Sequence, residues 1–230
     1  MRADPLTSLS RLLARALAML AASTLAFQPV AAQSILRDAE TEQFLIDLAA
    51  PLVEASELEA GNLDLVLIND GEINAFVAGG QMVFVHSGLL NAADTANEVQ
   101  GVIAHEIGHI TAGHVTRFEE RTKAATGISI LSLLIGVGAA LAGAPDAGMA
   151  AMMAGQQAAM GSFLAFNRDQ EAATDLAGAR YLSGAGISGR GMLKFFERLR
   201  NNEIRRGFSQ SREAAYMRTH PLTGDRLQTL

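Results

Sequence analysis

The sequence predicts an α+β fold made mostly of helices, and three observations point to it. His105-Glu106-Ile107-Gly108-His109 lies in an apolar run with helical spacing from about Glu98 to Phe118. Upstream, Leu63 to His86 is punctuated by Asn69-Asp70-Gly71 and by the Gly79-Gly80 pair, the marks of short strands joined by tight turns. Downstream, long Ala-, Gly- and Met-rich runs carry few charges. Composition agrees: 49% of residues are hydrophobic and 18% charged, with no Trp and two Tyr, which suits a folded helical protein and excludes a disordered one.

At 230 residues the chain allows one sizeable domain, or one domain with an extension. Residues 1–32 read as a secretory signal. Arg11 and Arg15 precede the apolar run Ala16 to Phe27, and Val30-Ala31-Ala32 fits the small-residue cleavage rule. The rival reading is an uncleaved anchor, for which the apolar core is short. The net charge is −6, and the leader's Arg2, Asp4, Arg11 and Arg15 contribute +2 of it, leaving −8 for residues 33–230. Such a balance argues against a nucleic-acid partner. The sequence has no cysteine, which rules out disulfides, a thiol nucleophile and thiolate metal ligands.

From Ser34 to about Leu58, apolar residues including Phe44, Leu45, Leu48 and Leu52 recur among acids as in a packing helix, interrupted near Pro51. Leu63 to Ile68 reads as a strand. Ile73 to His86 reads as two strands reversing at Gly79-Gly80, where glycine tolerates the dihedrals of a tight turn. An unpaired edge in such a small sheet can take an extended peptide as an added strand, with Asn74 as a candidate polar contact. His86, before Ser87-Gly88, reads as a surface histidine or one at a helix start. Thr95-x-x-Glu98 fits a capping box that starts the next helix.

Two histidines four apart lie one turn above each other on the same helix face, so His105 and His109 can reach one metal ion. Zinc held by imidazoles keeps a position open for water, and the carboxylate of Glu106 beside it can take up the proton and pass it to a leaving amine. His114 is not counted as a ligand: on a continuous helix it lies about 140° round the axis from His109, on the far side. Residues 127–166 begin with a charge-free stretch at the lower length limit for a membrane span. They read as two apolar helices that cover the cleft, with membrane contact or insertion as the alternative. Farther on, Glu171 and Asp175 are four apart on a helix expected over Gln170 to Ser183. One carboxylate can ligate metal while the other braces a ligand imidazole.

Taken together, Asn74-Ala75-Phe76 with the Gly pair, Gly88-Leu89-Leu90, His105-Glu106-x-x-His109, Arg168-x-x-Glu171-x-x-x-Asp175 and His220-Pro221 with Arg226 resemble the HtpX/BepA/Oma-type zinc metallopeptidases. These are related to the CAAX prenyl proteases. The resemblance covers nearly the whole chain after the leader and is greatest to the periplasmic BepA-like branch. It implies a zincin-like domain over residues 33–230 with one zinc ion. It further implies His105, His109 and Glu171 as ligands, Glu106 as general base and acid, and Asp175 behind the ligands. His220 is expected either as a fourth ligand that holds the enzyme inactive or as an oxyanion stabiliser, with Arg226 supporting its loop. Family members commonly carry Pro and Ala where this chain has Ala78 and Thr174. The resembled branch continues into helical repeats of the tetratricopeptide type beyond the point where this sequence stops.

The expectation is a periplasmic zinc endopeptidase that degrades misfolded or stalled outer-membrane proteins, with contacts to the outer-membrane assembly machinery. Two rivals remain. One is a chaperone-like assembly factor with a structural or latched zinc; the other is an integral-membrane zinc protease.

Overall fold

The computed structural model describes residues 34–59, 61–206, 220 and 224–230. The signal reading of residues 1–32 lies outside the described residues. Among these residues the elements are strands β1 (Ser34–Ile35), β2 (Asp64–Asn69), β3 (Ala75–Ala78) and β4 (Met82–His86). The helices are α1 (Ala39–Ala55), α2 (Ser87–Ala92), α3 (Ala96–Thr111), α4 (His114–Leu141), α5 (Pro145–Gly184), α6 (Arg190–Arg206) and α7 (Gly224–Thr229).

The strands form one mixed sheet in the order β1-β2-β4-β3. β2 and β4 are parallel, while the β3–β4 hairpin is antiparallel and pairs Phe76 with Phe84. Gly79 and Gly80 make the hairpin turn at φ 61° and 98°, a backbone region that side chains disfavour. Among the described residues β3 is thus the last strand of the sheet, with one edge unpaired. Leu67, Val83 and Val85 from the sheet meet Leu45 and Leu52 of α1, Val102, Ile103 and Ile107 of α3, and Phe195 and Phe196 of α6 in a single buried core. α3 is the centre of this core.

Local chemistry explains most element bounds. Asp38 caps α1 by accepting from the Glu40 amide. α1 runs through Pro51 without ending: proline removes one hydrogen bond, but the buried Leu52 and Val53 hold the last turn against the core. Thr95 caps α3, its hydroxyl accepting from the Glu98 amide at 3.3 Å. The Glu98 carboxylate accepts from the Asp94 amide and pairs with Arg198 of α6.

Two boundaries differ from the sequence reading. The helix expected over Glu98 to Phe118 is broken: α3 stops at Thr111, Gly113 turns the chain at φ 64°, and α4 starts at His114. Amides of Ala112 and Gly113 close the end by donating to Gly108 and Ile110. The helix expected over Gln170 to Ser183 is the last third of a 40-residue helix, α5, about 60 Å long at 1.5 Å per residue. α4 and α5 form an antiparallel pair joined through Ala142–Ala144, with Pro145 at the start of α5 where its missing amide costs nothing.

Candidate metal centre

α3 and α5 cross where glycines remove side chains from the contact. A Cβ on Gly108 would lie 2.9 Å from the Thr174 methyl, and one on Gly178 would lie 3.1 Å from the His105 amide nitrogen. This close approach sets Glu171 and Asp175 directly against His105 and His109. The segment at His220 then comes over the same point, and α7 brings Arg226 behind it.

Four donor atoms converge. His105 Nε2 lies 3.1 Å from His109 Nε2, 3.3 Å from His220 Nδ1 and 3.3 Å from Glu171 Oε2. Glu171 Oε1 lies 3.4 Å from His109 Nε2 and 3.2 Å from His220 Nδ1. A regular tetrahedron with edges of about 3.3 Å has its centre about 2.0 Å from each corner, which is a Zn–N or Zn–O bond length. The donors present therefore fit a small divalent metal ion.

Each imidazole turns its other nitrogen to a fixed partner. His105 Nδ1 faces Asp175 Oδ1 at 3.0 Å, a contact too bent for a full hydrogen bond but close enough to favour a proton on that nitrogen. His109 Nδ1 lies 2.9 Å from His114 Nδ1, which is 3.1 Å from the Thr174 hydroxyl. His220 Nε2 lies 3.3 Å from the Ala75 carbonyl on the edge strand and 3.5 Å from Glu106. Arg226 donates to both carboxylate oxygens of Asp175, at 2.6 and 2.8 Å, and reaches Glu171 at 3.0 Å. Partners of this kind fix tautomer and ring orientation.

Burial works to lower the His105 pKa, but the Asp175 and Glu171 carboxylates outweigh it and raise it to about 9. For Glu171 burial works upward, and His220, His105 and His109 overcome it, holding the acid well below the usual range. Asp175 is lowered in the same way, Arg226 and His105 outweighing its burial. Burial keeps His109 below its ordinary value against the pull of Glu171, and burial with neighbouring His109 brings His114 down to about 4. Glu171 is thus anionic and His109 is biased towards neutrality, as ligation requires, whereas His105, held protonated by the two carboxylates, must give up a proton when it ligates.

Glu106 is 0% exposed, and among the described residues neither carboxylate oxygen has a hydrogen-bond partner, His220 Nε2 standing off at 3.5 Å. A buried carboxylate left so is costly unless a reacting group uses it. It borders a cavity of about 240 Å³ shared with Phe76, Val77, His109, Glu171 and His220. A second cavity of about 420 Å³ continues from His109 to Gly80 and Gln81 at the hairpin turn. The two together follow the length of β3.

The structure thus brings together His105, Glu106, His109, Glu171, Asp175, His220 and Arg226. Asn74 is buried just before β3, its carbonyl accepting from the His86 amide. The expectation that His114 lies on the far side is corrected: the left-handed Gly113 returns it to His109, so the angle reckoned along a continuous helix does not apply. Ala112-Gly113 was the available signal, as a helix stop. His86 does precede a helix, yet it is buried, and with Asp70 and Glu72 it makes a second group of metal-type donors.

The sequence profile of Peptidase family M48 matches residues 36–230. The chain is 31% identical over 195 residues to a putative beta-barrel assembly-enhancing protease of Vibrio cholerae, covering 85% of this chain and 39% of that one. It is 29% identical over 193 residues to the beta-barrel assembly-enhancing protease of Escherichia coli K12, covering 84% and 39%. To the metalloprotease LoiP of the same strain it is 29% identical over 162 residues, covering 68% and 57%. The chain spans about two fifths of the length of the first two relatives. A helix-borne histidine pair, a carboxylate from the crossing helix and a profile match over most of the chain lead to one conclusion: the chain belongs to peptidase family M48, whose profile spans residues 36–230.

Proposed function

We propose that the protein is a zinc endopeptidase of the cell envelope, exported by a signal at residues 1–32 and acting in the periplasm on misfolded or stalled outer-membrane proteins. The observation that carries the catalytic part is the buried Glu106 carboxylate, without a hydrogen-bond partner among the described residues, between the metal-type donors and the cavity beside β3. His105, His109 and Glu171 would hold one zinc ion, a His, His, Glu set that most often takes this metal. When bound, zinc supplies a Lewis acid that polarises the scissile carbonyl and acidifies a water.

The chain's own residues do the rest. β3 takes the substrate as an added antiparallel or parallel strand, main chain to main chain, which suits unfolded clients of varied sequence. Glu106 Oε1 or Oε2 accepts a proton from the attacking water and donates it to the amide nitrogen as the C–N bond breaks. Asp175 and His114 orient His105 and His109 from behind. Arg226 neutralises Asp175 and Glu171 and ties α7, with the nearby His220, to the site. His220 fills the fourth donor position and engages the Ala75 carbonyl on the strand that substrate would use. It therefore acts as a latch that substrate or a partner must displace.

The substrate class rests on the names of the relatives, two of which are called beta-barrel assembly-enhancing proteases. The latch also supports a second reading, an assembly factor that binds such clients without cutting them. One comparison separates the two: zinc content and casein cleavage of the native chain, Glu106→Gln and His220→Ala. A peptidase retains one zinc in Glu106→Gln, loses cleavage by at least about 100-fold there, and gains activity in His220→Ala. Zinc without cleavage in all three, with client binding intact, favours the assembly factor.

A further inference from the structure

The α4–α5 pair is built inside out for a protein in water. Ser132 and Gly136 of α4 face Gly148 and Gly155 of α5 so closely that a Cβ on Gly148 would lie 2.4 Å from the Gly136 carbonyl, and one on Gly155 2.0 Å from the Ser132 Cβ. Small residues make up most of the contact, with Met152 laid over Gly136. The large ones point outward: Leu131, Leu133, Leu134, Ile135 and Leu141 of α4 are 52–85% exposed, and Met149, Met153 and Met160 of α5 are exposed as well. In a water-soluble helical pair leucine and isoleucine are buried between the helices. Small-residue contacts with apolar side chains turned outward are the pattern of helices packed in lipid.

Length and charge agree with that solvent. Between Lys123 and Arg168 the only charged residue is Asp146. Eighteen helical residues from Ala124 to Leu141 rise about 27 Å, against a bilayer hydrocarbon core of about 30 Å. Asp146 sits beyond that length, at the start of α5. At the other end the last charges before the apolar part are cationic on both helices, Arg121 and Lys123 on α4 and Arg168 on α5. Arg121 lies over the Phe166 ring at 5.0 Å, which puts these charges at one level. Glu119, Glu120 and Asp169 adjoin these cations in the sequence, so the charges of both signs end at the level where a headgroup region would begin. The Ser129 and Ser132 hydroxyls are bonded back to carbonyls of α4, and Gln156 of α5 borders the same groove between the helices.

We propose that the distal α4–α5 hairpin, from Ala124 to Ala165, inserts into a phospholipid bilayer, with Arg121, Lys123 and Arg168 at the near headgroups and Ala142–Asp146 at the far side. The base of the same pair walls the candidate metal centre through Phe118, Asn167 and Gln170, so insertion sets that centre close above the membrane surface. The geometry does not depend on catalysis, and the test does not read it.

Because the chain has no cysteine, Ala142→Cys gives a single reporter at the tip. The full chain carrying it is mixed with sealed vesicles of phosphatidylethanolamine and phosphatidylglycerol and challenged with a membrane-impermeant maleimide. Insertion predicts protection of at least tenfold in labelling rate, lost on adding detergent. It also predicts that Leu131→Glu with Leu134→Glu, both exposed positions, abolishes protection while leaving the metal content unchanged. Labelling of Ala142→Cys at the same rate with and without vesicles overturns the proposal, whether or not the chain adheres to the vesicles through its leader. Protection conferred by an unfolded β-barrel polypeptide but not by vesicles also overturns it and makes the hairpin a client-docking face.

Discussion

His105 shows how one side chain is given two jobs by two nitrogens. Nε2 points at the other donors, while Nδ1 is claimed by Asp175, itself neutralised by a two-point contact with Arg226. Removing the charge behind the ring loosens both tautomer and aim. Asp175→Asn is therefore expected to weaken metal affinity about 10- to 100-fold in a chelator competition, with the Glu106 carboxylate untouched. His114 supports His109 in the same way, through nitrogens 2.9 Å apart. His114→Ala is expected to weaken metal affinity by about tenfold; unchanged affinity would return His114 to the purely structural role that its spacing first suggested.

At the scale of elements, glycines decide how the helices meet. A Cβ on Gly101 of α3 would lie 2.5 Å from the Met192 Cα of α6, a backbone contact that no rotamer change relieves. Gly101→Ala is expected to cost about 1–3 kcal/mol in urea unfolding. Gly127, which has nothing within 4 Å, is a matched control where alanine should stabilise by up to about 1 kcal/mol. The hydrophobic period found α1 and α3 and the Gly pair found the β3–β4 hairpin, because both are local signals; α6, Arg190–Arg206, was not read from the sequence. The end of α3 was missed although Ala112-Gly113 lay in plain view, since apolar spacing continues across the break and outweighs one glycine in any window. The full length of α5 was missed for the opposite reason: its Gly- and Ala-rich first half has no apolar stripe to read, because its partner helix meets it through small residues.

For the whole molecule, the candidate centre joins three stretches distant in sequence: α3, α5 and the segment at His220. A metal bound there staples the C-terminal part of the chain to the core. Chelation is expected to lower stability by about 2.7 kcal/mol when the free metal had stood at 100 times its Kd, a fall in Tm of roughly 5–10 °C for a domain of this size. Added zinc should restore it. His105→Ala should make Tm insensitive to the chelator, and a chelator-sensitive Tm in that variant would place the stabilising metal elsewhere, with Asp70, Glu72 and His86 the first place to look.

By itself the sequence determined what is set by neighbours along the chain. It fixed the pairing of His105 with His109 on one helix face, the placing of Glu106 between them, the four-residue step from Glu171 to Asp175 and the reversal at Gly79-Gly80. Each follows from a helix or turn geometry that a few residues specify. Only the tertiary structure decided that His220 reaches both Glu171 and the β3 edge, that Arg226 locks onto Asp175, and that His114 swings back to His109. The first two join residues 49 and 51 positions apart, and the third turns on a single left-handed glycine. Such contacts depend on how closely α3 and α5 approach, and that distance is set by the absence of side chains at Gly108 and Gly178, which no periodicity records.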